Sequence, residues 1–167
     1  MEGTASASGQ LDRAFAPLVG AARTFLAREG RSRHLIVTHV RPAPHDLIVD
    51  MHCGGGHLAR QIAAHEPAAR VVGVSADAAI VARARARTHG QRATLRFAHA
   101  APEDIVHHVG AGTATKVIVT LTDIHSLAEK SRRLNAAREI IDPLGTLFTL
   151  DHGARRNARH ARADLAS

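Results

Sequence analysis

What most restricts this chain is a series of five short apolar runs separated by segments of helical period. The runs are Leu47 to Met51, Arg70 to Val74, Thr94 to Ala98, Lys116 to Leu121 and Thr146 to Leu150. Helical segments are predicted between them at about 57–66, 78–88, 102–109 and 126–142, the last stopped by Asp142-Pro143-Leu144-Gly145. Continuously apolar strands are buried on both faces, and their alternation with helices predicts an α/β fold built on a doubly wound, mostly parallel sheet. Ligands in such a sheet bind outside the carboxyl ends of the strands, where strand order reverses. A chain of 167 residues is the size of one domain.

Before the first run, Leu11, Phe15, Leu18, Val19, Ala22, Phe25 and Leu26 recur at helical spacing and predict an amphipathic helical lead-in. A second helical stretch runs to about Val40, where Arg41-Pro42-Ala43-Pro44 ends it, because residues before proline avoid the helical region. The domain is therefore expected over residues 11–153, with 11–40 as a helical segment. It is flanked by a frayed polar tail at 1–10 and a basic, flexible tail at 154–167.

Composition removes several function classes. With 45% hydrophobic and 22% charged residues and no apolar run near the roughly twenty needed to span a bilayer, no transmembrane segment is expected. The single Cys53 excludes an intramolecular disulfide, and the opening MEGTASASGQ lacks a secretory core, so a cytoplasmic location is expected. Four Phe and no Trp or Tyr leave little for base stacking. The net charge of +7 is almost all arginine, spread without a compact basic module, so no specific nucleic-acid partner is expected.

The first run delivers Ile48-Val49-Asp50-Met51-His52-Cys53-Gly54-Gly55-Gly56 directly into a helix, so a glycine-rich turn lies where a ligand can approach the backbone. A second strand ends nearby at Val71-Val72-Gly73-Val74-Ser75, as a nucleotide site requires. Across about residues 11 to 153 the sequence resembles class I S-adenosylmethionine-dependent methyltransferases, especially the ubiquinone and menaquinone C-methyltransferases. Asp50 to Gly56 is similar to the family's Asp-x-Gly-Cys-Gly-x-Gly turn, and Val71 to Asp77 to its second strand and loop. Ala137 to Leu147 is similar to its helix, glycine turn and fifth strand.

The resemblance implies a Rossmann-like methyltransferase fold, truncated after the fifth strand, that takes S-adenosylmethionine as cofactor and a small-molecule acceptor as substrate. The cofactor-binding residues it implies are Asp50, His52, Cys53, Gly54, Gly56, Ser75, Ala76, His99, Ala100 and Thr120. Asp123 and His125, just past the fourth run, are the candidate bases, and the lead-in becomes the lid over the acceptor pocket.

Departures from the family pattern fall on the cofactor positions. His52 replaces a glycine and is strained if the backbone needs positive φ. Ser75 stands where an acidic residue usually meets the ribose, with Asp77 two residues on as a substitute, and His99 stands where an acidic residue usually meets adenine. Lys116 replaces an aspartate at the start of the fourth strand. Because only His152 to Ser167 follow, the fifth strand is expected as an open edge covered by the tail or a partner subunit, which predicts a homodimer or poor solubility.

His52, His99, Asp123, His125 and His152 all fall at strand ends, but they lack ligand spacing and no metal is expected. Cys53 beside a helix start is read as packing rather than nucleophilic. The alternative function is a catalytically inactive binding or oligomerisation module of the same fold.

Overall fold

The computed structural model describes residues 22–25, 32–88, 94–121, 124 and 126–150. In chain order the elements are β1 (Ala22–Phe25), α1 (Ser32–Val40), β2 (Leu47–Met51), α2 (His57–His65), β3 (Arg70–Ser75), α3 (Ala78–Ala86) and β4 (Leu95–His99). A 3-10 turn (Pro102–Asp104) then leads into α4 (Ile105–Val109), β5 (Ala114–Thr120), α5 (Leu127–Ile140) and β6 (Ile141–Leu150). The strands form one six-stranded sheet in the order β1-β6-β5-β2-β3-β4, and every adjacent pair is parallel.

Strand periodicity divides the core into two layers. On one face Ile48, Val71, Phe97, Ile118 and Phe148 meet α1 (Ile36, Val37, Val40), α2 (Ala59, Ile62, Ala63) and α3 (Val81, Ala84). On the other, Val49, Met51, Val72, Val74, Val117 and Val119 meet Ile105 of α4 and Leu134, Ala137 and Ile140 of α5. Since both faces are covered, β2 is buried at all five positions, which is why its sequence reads as an unbroken apolar run around one Asp. Each fully buried branched side chain in these layers contributes roughly 1.5–3 kcal/mol relative to exposure.

The chain lays β3 and β4 outward from β2 and then returns to place β5 and β6 on the opposite side. Strand order therefore reverses between β2 and β5, and the carboxyl ends of these two strands flank the expected ligand position. At the other end of the same pair, Lys116 is ion-paired to Asp46 and donates to the Arg41 carbonyl at 3.2 Å. Asp46 also accepts from the Ala43 N–H at 2.7 Å and from Thr115 Oγ1 at 2.8 Å. Burial opposes ionisation of Asp46, but these bonds outweigh it and hold the carboxyl below its usual range. Lys116 thus ties the starts of β2 and β5 together, far from the switch point.

Two expectations are corrected here. Ala22–Phe25, placed in the helical lead-in by its spacing, is a strand that pairs in parallel with β6 from Ala22↔Leu147 to Phe25↔Leu150. The edge of β6 is consequently not open, and the sheet does not end with the fifth predicted strand. The Asp142-Pro143-Leu144-Gly145 stop lies inside the bounds of β6: pairing passes from Ala114↔Ile141 to Lys116↔Thr146, so these four residues bulge out and leave Leu144 93% exposed. An Asx turn closes the bulge, with the Leu144 N–H donating to Asp142 Oδ1 at 2.8 Å. The remainder of the lead-in and the two tails lie outside the described residues. Among the described residues, no helix is long and apolar enough to cross a membrane.

Candidate functional site

At the carboxyl end of β2 the chain crosses toward β3, and the N–H groups of His52 and Cys53 both donate to the Val74 carbonyl, at 3.0 and 2.9 Å. The turn closes with the Gly56 N–H on the Cys53 carbonyl at 2.8 Å. His52 has φ 111°, so the strain foreseen for a histidine at this position is present. The glycines differ in purpose. At Gly54 (φ 50°) an added Cβ would meet no atom within 4 Å, whereas at Gly56 (φ 72°) it would lie 2.6 Å from Phe97 Cζ. Gly56 lets the turn close on the core; Gly54 presents bare backbone to open space.

Two buried groups lie beneath this turn. Asp50 is 2% exposed, its Oδ2 has no hydrogen-bond partner, and burial pushes its pKa up to about 7. A buried carboxyl oxygen given no protein donor is costly, and it adjoins the switch point. Cys53 is also buried; burial, with Asp50 adding to it, pushes its thiol up to about 12. It stays protonated and packs, its Sγ 3.7 Å from the Gly54 carbonyl.

A cavity of about 360 Å³ opens beside the turn on the α4/α5 side of the sheet. Its apolar lining is Met51, Val74, Ile80, Ala100, Pro102 and Ile105; His52, Ser75, Ala76, Asp77, Glu129 and Arg133 supply polar or backbone groups. Ser75 is 4% exposed, and its Oγ accepts from the Asp77 N–H at 3.1 Å, which leaves the hydroxyl hydrogen for another acceptor. Asp77 Oδ1 caps α3, accepting from the Ala79 and Ile80 N–H groups at 2.8 and 3.1 Å.

Of the positions singled out in the sequence, His52, Ser75, Ala76 and Ala100 line the cavity, with Asp77 beside them. Cys53, Gly54 and Gly56 form the adjoining turn, and Asp50 lies in β2 beneath it. His99 stands opposite Ser75 in register but is not part of the lining. Its Nε2 lies 3.1 Å from the Ala76 carbonyl, so that nitrogen must carry the hydrogen and Nδ1 is the acceptor in the neutral ring. Thr120 is likewise outside the lining, and its carbonyl accepts from Arg133 Nη1 at 3.0 Å. Asp123, His125 and His152 lie outside the described residues. Among the described residues, no three His, Cys, Asp or Glu side chains come together as a metal site.

Glu129 and Arg133 were not foreseen. Arg133 Nε donates to Glu129 Oε1 at 3.2 Å, and Glu129 is also paired with Arg132, whose hydrogen bond leads the causes that hold the Glu129 carboxyl below its usual range. The available signal was Ser126-x-x-Glu129: Ser126 Oγ accepts from the Glu129 N–H at 3.4 Å and fixes the start of α5, which places both residues in its first two turns. α1 buries Ile36, Val37 and Val40 in the layer across the sheet, and none of its residues lines the cavity.

Comparison with solved proteins finds the same fold at low identity. The PH0226 protein of Pyrococcus horikoshii OT3 superposes with a TM-score of 0.64 at 18% identity, over 81% of this chain and 64% of its own. A methyltransferase of Haloferax volcanii, solved with the Trm112 activator, gives 0.62 at 18% identity over 86% and 57%. An S-adenosylmethionine-dependent methyltransferase of Thiobacillus denitrificans, in complex with S-adenosyl-L-homocysteine, gives 0.55 at 13% identity over 71% and 47%. The chain spans less than two thirds of the length of each of these proteins. No curated protein sequence matches it. The family model described as a methyltransferase domain matches residues 48–145, more than half of the chain and the whole stretch from β2 to the bulge of β6. By that match this chain belongs to the methyltransferase-domain family.

Proposed function

We propose that the chain binds S-adenosylmethionine in this cavity and transfers its methyl group to a small-molecule acceptor. The observation that carries the reading is one juxtaposition at the strand-order reversal: an open glycine face at Gly54, an orphaned carboxylate at Asp50, and the Ser75–Asp77 loop over an apolar floor. These groups fit the ligand. Met51, Val74, Ile80, Ala100 and Ile105 would hold the adenine, Ser75 and Asp77 the ribose hydroxyls, and the Gly54 turn with Asp50 the amino-acid portion. The Thiobacillus denitrificans relative was solved in complex with S-adenosyl-L-homocysteine, which supports this class of ligand.

When bound, the cofactor supplies a methyl group on a sulfonium sulfur. The chain's own contribution is to align the acceptor, exclude water and, for a protonated nucleophile, accept a proton. Asp123 and His125 remain the proposed bases.

The second reading, a silent binding module, is favoured by His52 and Ser75. A neutral hydroxyl in place of a carboxylate trades a charge-assisted bond of about 1.5–3 kcal/mol for one of about 0.5–1.5, roughly tenfold in affinity. Calorimetric titration with S-adenosylhomocysteine separates the two. Binding by the natural chain that strengthens in His52→Gly/Ser75→Asp supports the enzyme reading. Absence of heat in the natural chain, restored in the double variant, supports a module that has lost its ligand.

A further inference from the structure

His52 brings a strained backbone and a titratable ring to the same wall of the cavity. Its φ of 111° is one that glycine adopts freely and side-chain-bearing residues rarely do, yet a half-buried histidine holds it and lines the cavity. Strain of this kind persists only where the surrounding structure enforces it, and it collects at ligand sites.

The backbone fixes where His52 stands along a bound ligand. Its N–H donates to the Val74 carbonyl at 3.0 Å, which holds it against the residue before Ser75. Two residues on, Gly54 presents open backbone at φ 50°. A ligand with its ribose at Ser75 and Asp77 and its amino-acid portion at the Gly54 turn carries its sulfur between these points, and His52 sits between them.

The other ionisable groups around it are Asp50 in β2, Cys53 in the turn, Asp77 at the start of α3, and Glu129 and Arg133 in α5. Asp77 caps α3, Glu129 is paired with Arg132 and Arg133, and the Cys53 thiol stays protonated. An imidazole differs from these in passing between neutral and cationic forms near neutral pH.

We propose that His52 is a specificity-determining residue of the site: its ring faces the sulfonium of S-adenosylmethionine, admitting that cation when neutral and disfavouring it against the uncharged S-adenosylhomocysteine when protonated. The inference rests on the reading of the cavity as an adenosyl site and adds to it a charge preference set by pH. S-adenosylmethionine and S-adenosylhomocysteine differ by one methyl group and one positive charge, so the contrast between them isolates the ring–sulfonium repulsion. By linkage, the factor by which protonation weakens the one ligand relative to the other is the factor by which the one ligand opposes protonation of the ring.

The test follows the histidine ring resonances of the full chain by NMR from pH 5 to 8, at saturating S-adenosylmethionine and at saturating S-adenosylhomocysteine. The His52 signal is the one lost in His52→Gly. It should titrate about one pH unit lower or more in the S-adenosylmethionine complex, which is a tenfold effect on relative affinity. His99, tied to the Ala76 carbonyl and outside the lining, should titrate alike in both. Ionisation of Asp50, which the sulfonium favours, raises the imidazole midpoint and cannot mimic the expected fall.

Equal midpoints for His52 in the two complexes, or a higher one with S-adenosylmethionine, would overturn the inference while leaving the adenosyl site standing. Absence of binding by both ligands would overturn that site and this inference together.

Discussion

His52 and Asp50 are the two residues that a stability-optimised sequence would change, and both sit at the ligand turn. A histidine at φ 111° costs on the order of 1–3 kcal/mol, and glycine removes that cost. His52→Gly should therefore raise the thermal midpoint by about 2–4 °C for each kcal/mol recovered, measured by scanning calorimetry. A lowered midpoint would show that contacts of the ring outweigh the backbone strain.

For Asp50 the pKa rises from 3.8 in the unfolded chain to about 7 when folded. The folded state thus binds the extra proton between about pH 4 and pH 7, and stability falls as pH rises through that window, by on the order of a few kcal/mol. Asp46 acts in the opposite sense and at lower pH, its contribution being lost only as pH falls below the usual carboxylate range. Denaturant melts of Asp50→Asn should lose the slope between pH 4 and 7 and show higher stability than the natural chain at pH 8. An unchanged slope would assign the pH dependence to another group.

At the level of elements, the boundaries legible in the sequence are those set by local chemistry. β2 and β3 were readable because both faces of each are covered, which leaves unbroken apolar runs. The turn between β2 and α2 was readable from its glycines, and Asp77 stands at the start of α3, where it caps the helix. β1 was not readable: Ala22 and Phe25 belong to a stretch of helical spacing, and what draws Ala22–Phe25 into a strand is the unpaired edge of β6, distant in sequence. Nor were Arg133 and Glu129 readable as cavity residues, because Arg133 is held there by the Thr120 carbonyl across the β5–α5 connection.

The cap at Asp77 allows its structural and ligand roles to be separated. Asp77→Ala should lose about 1 kcal/mol of stability, while Asp77→Asn, which still caps, should lose little. If the carboxylate also holds the ribose, both variants should bind S-adenosylhomocysteine more weakly, by calorimetry. An Asp77→Asn chain with full affinity would confine this residue to capping.

For the molecule as a whole, β1 and β4 are the sheet edges, and each is handled differently. On β4, Arg85 donates from both Nε and Nη2 to the Phe97 carbonyl, at 3.1 and 2.7 Å, which blunts one unpaired acceptor. On the other side β1 covers β6, so association through the β6 edge requires β1 to be displaced. A chain lacking residues 1–31 should therefore self-associate more than the full chain in light scattering. Equal behaviour of the two would show that β1 does not protect that edge.

The sheet order, the glycine turn and the cavity all converge on the ends of β2 and β3, and the central claim is that an adenosyl ligand binds there. It is tested most directly by following backbone amide resonances of the full chain during titration with S-adenosylhomocysteine. The account predicts saturable shifts concentrated at Gly54, Ser75, Ala76 and Ala100, with Arg70 and Thr115 at the far end of the sheet unmoved. An absence of shifts at saturating ligand, or shifts clustered away from the Gly54 turn and the Ser75–Asp77 loop, would contradict it.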